Sequence, residues 1–332
     1  MTRAAFWLLA AGVLLFVVVL VSHDASAVFA TLALAGWGLL GVTAFHLLPL
    51  ALDAAAIRIL QTRARGGSTL NALLVRWIGE SANSLMPAGQ IGGPLLMIRQ
   101  LIQRGVPTPD AAAAITASTT LQTVAQIVFA LLGLALLGGR ASLIPLAGSG
   151  TAAVAGGCVL TLMIAGFYLL QRRGLFGKLT RLLQRVAGRR DWSGILRHAE
   201  AIDLALQGMY SRSARVTGSF ALSLLGWVAG TGEVWLICRL LDSPVSWGDA
   251  LILESLGQTI RSVAFAVPGS LGVQEGGYVL LAPLAGLRPE VALALSLAKR
   301  ARELLLAIPG LIYLHFSERA FRRRAGLATV RD

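Results

Sequence analysis

Charge is scarce in this sequence. Of its 332 residues 14% are Asp, Glu, Lys or Arg, against about 25% in soluble domains. Apolar residues make up 56%, and the mean hydropathy is +0.72. A chain of this composition has too little polar surface to cover its own core, which excludes a soluble enzyme. Cysteine is nearly absent. Cys158 and Cys238 both lie inside apolar runs, so neither a disulfide framework nor a zinc ribbon can be built, and both read as small packing residues. Histidine is limited to positions 23, 46, 198 and 315. There is no His-Glu-x-x-His and no three-His cluster, so no metal and no cofactor is expected. P-loop spacing is missing, which argues against ATP hydrolysis by this chain. Gly148-Ser149-Gly150 has no placed His partner, so serine-hydrolase chemistry lacks support. Acids are few beside bases, 16 against 29, for a net charge of +13. A positive balance also marks nucleic-acid binders. Here the basic stretches adjoin apolar spans, which matches anionic lipid headgroups and not nucleic acid.

Long apolar runs are what the chain does have. A spanning helix needs about 20 such residues, and clear candidates are 4–21, 28–52, 111–137, 143–170, 216–241 and 291–316. Arg3 before the first run and Ala25-Ser26-Ala27 after it also fit a signal peptide, but the run is long for that role. Two further regions, 70–103 and 250–284, are apolar but interrupted by Pro and Gly near their middles. The charges orient these spans. Segments 171–215, 53–65 and 318–332 carry +7, +2 and +3, and the positive-inside rule places all three in the cytoplasm. Both termini are therefore expected to be cytoplasmic. The two interrupted regions must then make no net crossing, so each is expected to be a re-entrant or broken-helix hairpin, entering from opposite faces. Segment 171–215 reads as a basic amphipathic connector lying on the inner membrane face.

The interrupted regions resemble each other at an offset of 181. Ser81 matches Ser262, Pro87 matches Pro268, Gly105 matches Gly286, Ala111 matches Ala292 and Ala113 matches Ala294. A repeat displaced by an odd number of crossings has inverted topology, an architecture of membrane transporters whose broken helices meet near the midplane. The expected organisation is one integral membrane domain over 1–332, with a first repeat over 28–140, a second over 209–316 and a tail over 317–332. The expected breaks are Pro87 and Gly89 in the first hairpin and Pro268, Gly269 and Gly272 in the second. Backbone groups freed at such breaks are tolerated only where they line a polar cavity.

Ionisable residues inside the apolar stretches point to the same place. Glu80, Glu233, Glu254, Glu275 and Glu303 stand against Arg261, Lys299, Arg300 and Arg302. Each costs about 2.5–3.5 kcal/mol at mid-bilayer on insertion scales unless it is paired or wet. Arg76 with Glu80, and Lys299 with Glu303, are spaced i, i+4 and are expected to pair along one helix face. Glu254, Gln258 and Arg261 form one polar stripe. At the first break the polar groups are the neutral Asn83 and Gln90. His46 and Asp53, around Pro49, read as an interfacial kink with snorkelling polar tips.

The stretch Asn83-Ser84-Leu85-Met86-Pro87-Ala88-Gly89, with Pro268-Gly269-Ser270-Leu271-Gly272-Val273-Gln274-Glu275-Gly276-Gly277, resembles the lysylphosphatidylglycerol-synthase transmembrane-region family, or flippase-like domain family. Gly286 and Lys299-Arg300-Ala301-Arg302-Glu303 add to the likeness. Gly232-Glu233-Val234-Trp235 and Glu254-Ser255-Leu256-Gly257-Gln258 resemble its branch associated with bacterial hopanoid biosynthesis. The resemblance implies a bacterial inner-membrane protein that moves a lipid between leaflets. Gln90-Ile91-Gly92 stands where relatives often carry an acid. No soluble aminoacyltransferase segment is present in this sequence, so lipid aminoacylation is not expected.

The reading is an all-α polytopic membrane protein, not an enzyme, that moves or hands over hopanoid or a related lipid. Its expected partners are membrane lipid (hopanoid or anionic phospholipid) and lipid-biosynthesis enzymes. Arg261, with Lys299 or Arg302, is expected to hold the headgroup. Glu254, Glu275 and Glu303 balance those charges or carry a coupling proton, with Gln258, Asn83, Gln90 and Glu80 completing the site. Rival readings are a membrane enzyme that modifies a lipid headgroup, with Glu275 or Glu254 as base, and a non-catalytic scaffold of a lipid-biosynthesis complex.

Overall fold

The computed structural model describes residues 25–61, 68–85, 89–138, 193–263, 267 and 270–328, with isolated positions at 14, 17, 18 and 21. The expected span 143–170, nearly all of span 4–21 and residues 171–192 of the connector 171–215 lie outside the described residues, as do Pro87, Pro268 and Gly269 and the side chain of Gln90.

The helices in chain order are α1 (Ala25–Ala35), α2 (Gly38–Leu60), α3 (Thr69–Leu85), α4 (Gly89–Gln103), α5 (Thr108–Gly138), α6 (Ser193–Tyr210), α7 (Ser213–Leu240), α8 (Trp247–Val263), α9 (Val273–Leu281) and α10 (Pro289–Ala328). No strand occurs among the described residues. Helices α2, α5 and α7 are long and apolar enough to cross a membrane. Helix α10 has the length but carries Lys299, Arg300, Arg302 and Glu303 in its interior. Its outward face is apolar all the same, with Leu304, Leu305, Ile308, Ile312 and Phe316 exposed. A surface of that kind suits lipid and not water. The expected span 28–52 is divided, because Gly36 adopts a φ of +45° and separates α1 from α2.

Both interrupted regions fold back on themselves. In the first, Gly79 of α3 lies beside Met97 of α4, and Asn83 lies beside Gly93, whose N–H donates to Asn83 Oδ1 at 3.0 Å. These pairings make α3 and α4 an antiparallel hairpin. In the second, Gly257 of α8 lies beside Tyr278 of α9, and Ile260 lies beside Gly277, which is again antiparallel.

The offset of 181 recurs in the backbone. Gly105 and Gly286 both adopt left-handed φ, +86° and +66°. Gly105 N–H donates to Ile102 O at 2.9 Å and Val106 N–H to Leu101 O at 3.1 Å; Gly286 N–H donates to Pro283 O at 3.2 Å and Leu287 N–H to Ala282 O at 3.0 Å. Each set is the paired hydrogen-bond pattern that stops a helix at a left-handed glycine. Three residues beyond each glycine a long helix begins, α5 at Thr108 and α10 at Pro289.

The equivalent helices α2 and α7 pack antiparallel. Gly38 sits beside Leu240, Phe45 beside Gly232, Asp53 beside Gly226 and Ile59 beside Gly218. Opposed directions in equivalent helices are what inverted topology demands. The same inversion relates two further contacts: α3 runs against α10, with Ser81 at Gly310, and α8 runs against α5, with Ser255 at Gly133.

Helix α6 belongs to the described part of the connector. Leu206, Met209 and Tyr210 are buried against Leu60, Ala113, Ala114, Ala117 and Leu121. One face of this described part of the connector is thus packed on α2 and α5, where its apolar residues find protein partners.

Candidate functional site

Close helix approach builds the site. Gly226, Gly230 and Gly232 of α7 face α2 and α8; a Cβ at Gly232 would sit 2.6 Å from Phe45 Cζ. Small residues on one face let two helices come together in lipid. That approach brings His46 of α2 against Glu233 of α7 and Asp53 beside Gly226, with α3, α5, α8 and α10 closing the remaining sides. A cavity of about 180 Å³ remains between them, lined by groups including His46, Asp53, Arg76, Glu80, Gln122, Glu233, Glu254, Gln258, Arg261, Arg302 and Glu303. It has room for several water molecules.

The lining groups are knitted into one network. His46 Nδ1 is 2.8 Å from Glu233 Oε2, and Nε2 is 2.8 Å from Glu80 Oε1. Arg302 donates through Nε to Glu233 Oε1 at 3.0 Å, and its guanidinium lies 3.7 Å from Glu80. Arg76 Nη2 donates to Asp53 Oδ2 at 2.7 Å and lies 3.8 Å from Glu80. Gln122 of α5 donates to the same Asp53 oxygen at 2.6 Å. On the α8 side, Lys299 Nζ donates to Glu254 Oε2 at 2.6 Å, Gln258 donates to Glu254 Oε1 at 2.9 Å, and Arg261 pairs with Glu303. Lys299, Glu233 and Glu254 are almost wholly buried. A charge so placed is sustained only by partners of opposite sign and well-formed hydrogen bonds.

The expected site residues divide in two. Glu80, Asn83, Glu254, Gln258, Arg261, Arg302 and Glu303 line the cavity, and Lys299 reaches it through Glu254. Glu275 is elsewhere. Its carboxylate pairs with Arg300 and accepts the Gly272 N–H at 2.7 Å, so it ties the start of α9 to α10. Gly272, at φ +76°, provides the left-handed turn that permits this cap.

One pairing differs from the i, i+4 expectation. Lys299 and Glu303 turn to α8, each finding its own partner there, whereas Arg76 keeps Glu80 at 3.8 Å and adds the closer Asp53 at 2.7 Å. Buried charges select the geometry that satisfies most donors, and partners across a helix interface meet that need better than neighbours along one surface.

His46 and Asp53 are not snorkelling interfacial tips. Both side chains are about 14% exposed and face the centre of the network. Their partners lie far away in sequence, so spacing within α2 gave no sign of them. The one available signal was a proline, Pro49, between two ionisable residues in an apolar helix. Gln122 was missed for a similar reason, since an uncharged residue in an apolar helix reads as packing. Glu233 and Arg76 stood out as charges in apolar sequence, but their place at the site depends on the α2–α7 and α2–α3 contacts.

The fold and this charged interior define an all-α polytopic membrane protein built around a buried polar cavity. Residues 7–310 match the family described as Lysylphosphatidylglycerol synthase TM region. The chain belongs to that family, whose members are lipid-related membrane proteins. No curated protein and no solved structure matches it.

Proposed function

We propose that the protein moves or hands over a membrane lipid across the bacterial inner membrane, with both termini in the cytoplasm, and that it is a transporter and not an enzyme. The observation that carries this reading is the cavity itself. Nine ionisable side chains from α2, α3, α7, α8 and α10 converge on a polar space between inverted helix pairs, an arrangement that holds polar cargo in membrane transporters. A lipid headgroup would enter the cavity while its chains stay on the apolar outer face. Arg261, Arg302 and Arg76 supply donors to an anionic or hydroxylated headgroup, and Glu80, Glu254 and Glu303 balance them. Hopanoid, or a hopanoid-linked lipid, is the substrate that the sequence resemblance favours.

The test is reconstitution of the full chain in vesicles carrying fluorescent phospholipid or hopanoid analogues, with leaflet-resolved quenching. Protein-dependent movement of at least one class is expected. Unchanged leaflet distributions, together with unchanged hopanoid content and asymmetry in a deletion strain, would overturn the reading. A new lipid product formed by the purified protein would replace it with the enzyme reading.

A further inference from the structure

The environment of His46 has a consequence for charge. A neutral imidazole carries one N–H. Both ring nitrogens of His46 face a carboxylate oxygen at 2.8 Å, Glu233 on one side and Glu80 on the other. An unprotonated nitrogen has a lone pair, and two lone pairs do not close to 2.8 Å without a proton between them. The unit thus needs one proton more than a neutral imidazole and two carboxylates supply. The Arg302 guanidinium lies 3.3 Å from Nε2, and Glu233 and Glu80 bridge the two cations.

The charge count around the cavity agrees. Among the described residues Asp53, Glu80, Glu233, Glu254 and Glu303 are the network's five carboxylates, while Arg76, Arg261, Lys299 and Arg302 are its four permanent cations. The charged groups facing His46 come from α3 (Glu80, Arg76), α7 (Glu233) and α10 (Arg302, with Lys299 behind Glu233), with Asp53 on its own helix. With all five carboxylates ionised, the network is neutral when His46 is an imidazolium.

We infer that His46, clamped between Glu80 and Glu233, is a proton-binding site that opens onto the cavity, and that its proton is the ion coupled to lipid movement. This rests on the transport reading above. Release of the proton through the cavity leaves the network with a net charge of −1 between the helices. The clamp must then open, freeing Glu80 and Glu233 to water or cargo. Rebinding closes it.

Two measurements test this on the full chain. Histidine-15N labelling in lipid bilayers, with His46 assigned by the signal lost in His46→Gln, reads the ring directly. Two protonated nitrogens are expected at pH 7, and one only in Glu80→Gln. A neutral His46 ring at pH 7 overturns the proton site. In vesicles, an imposed pH gradient should change the lipid transfer rate of the wild-type protein at least fivefold and leave that of His46→Gln unchanged. A wild-type rate indifferent to the gradient overturns the coupling. A wild-type protein that moves no lipid overturns the transport reading and the coupling with it, while the ring spectrum still decides the proton site. If His46→Gln does not fold, Glu80→Gln takes its place in both measurements.

Discussion

Helices α5 and α10 occupy the same place in the two repeats and do different work. Each follows a left-handed glycine by three residues, and each packs antiparallel on the first helix of the other repeat's hairpin. At the offset of 181, however, Lys299, Arg300, Arg302 and Glu303 of α10 fall on Ser118, Thr119, Leu121 and Gln122 of α5. Helix α5 is apolar enough to be recognised as a span; α10 is not. The duplicated backbone supplies symmetric support, and of these two helices only α10 carries charge into the cavity. Matching charges on α5 would add further buried ions, each with its desolvation cost. Gln122 shows the economical alternative: one neutral donor completes Asp53 from the α5 side.

This comparison can be broken by removing α10 charges. Arg302→Met takes from Glu233 its guanidinium partner and leaves it His46 and the more distant Lys299, and Lys299→Met strands Glu254; both are buried carboxylates. Each should cost about 3–5 kcal/mol, read as a fall in the unfolding midpoint of the full chain in detergent. The corresponding α5 change, Ser118→Ala, should cost less than about 1 kcal/mol. Equal losses on the two helices would contradict the asymmetry. Lys299→Met combined with Glu254→Leu should recover most of the stability, because no charge is left unpaired. If the double variant is stable but does not move lipid, the pair serves function and not folding.

The helix seam offers a second test. Gly232→Val puts a branched side chain where Phe45 packs and should cost about 1–3 kcal/mol by overpacking. Gly218→Ala, whose Cβ would meet Ile59 at an ordinary 3.7 Å, should be nearly neutral. The ratio of their unfolding midpoints measures how tightly α2 must approach α7 to set His46 on Glu233.

Making α5 resemble α10 sharpens the comparison further. Gln122→Glu places on α5 the carboxylate that Glu303 places on α10, beside Asp53 and with no added cation. A loss of about 1–3 kcal/mol is expected, since a donor to a buried carboxylate is replaced by a like charge. The loss should shrink as pH is lowered and the new carboxyl is protonated.

The smallest effect belongs to the far end of α10. Arg99 donates to Glu318 at 2.7 Å and holds its carboxyl below the ordinary carboxylate range. A lowered folded value stabilises above the unfolded range, near pH 4.3, and the contribution is lost as pH falls through the lowered value. Arg99 is about half exposed, so Glu318→Gln should cost under about 1 kcal/mol and remove that part of the acid sensitivity. A larger loss would mean that the brace matters as much as the cavity.

Much of this was legible along the chain. Composition, apolar run lengths and the 181-residue repeat are local or linear properties, and they suffice for an all-α membrane protein with two broken hairpins. They also single out the buried charges, because a charge in an apolar run is costly wherever it ends up. Partner choice is another matter. Glu275 looks like a cavity residue by its motif, yet it caps α9 and pairs with Arg300. His46 looks like an interfacial tip, yet it joins residues 34 and 187 positions away. Which carboxylate meets which cation depends on how closely α2, α7 and α10 approach and how they rotate. Tertiary packing alone decides that, since burial makes only well-formed pairs affordable.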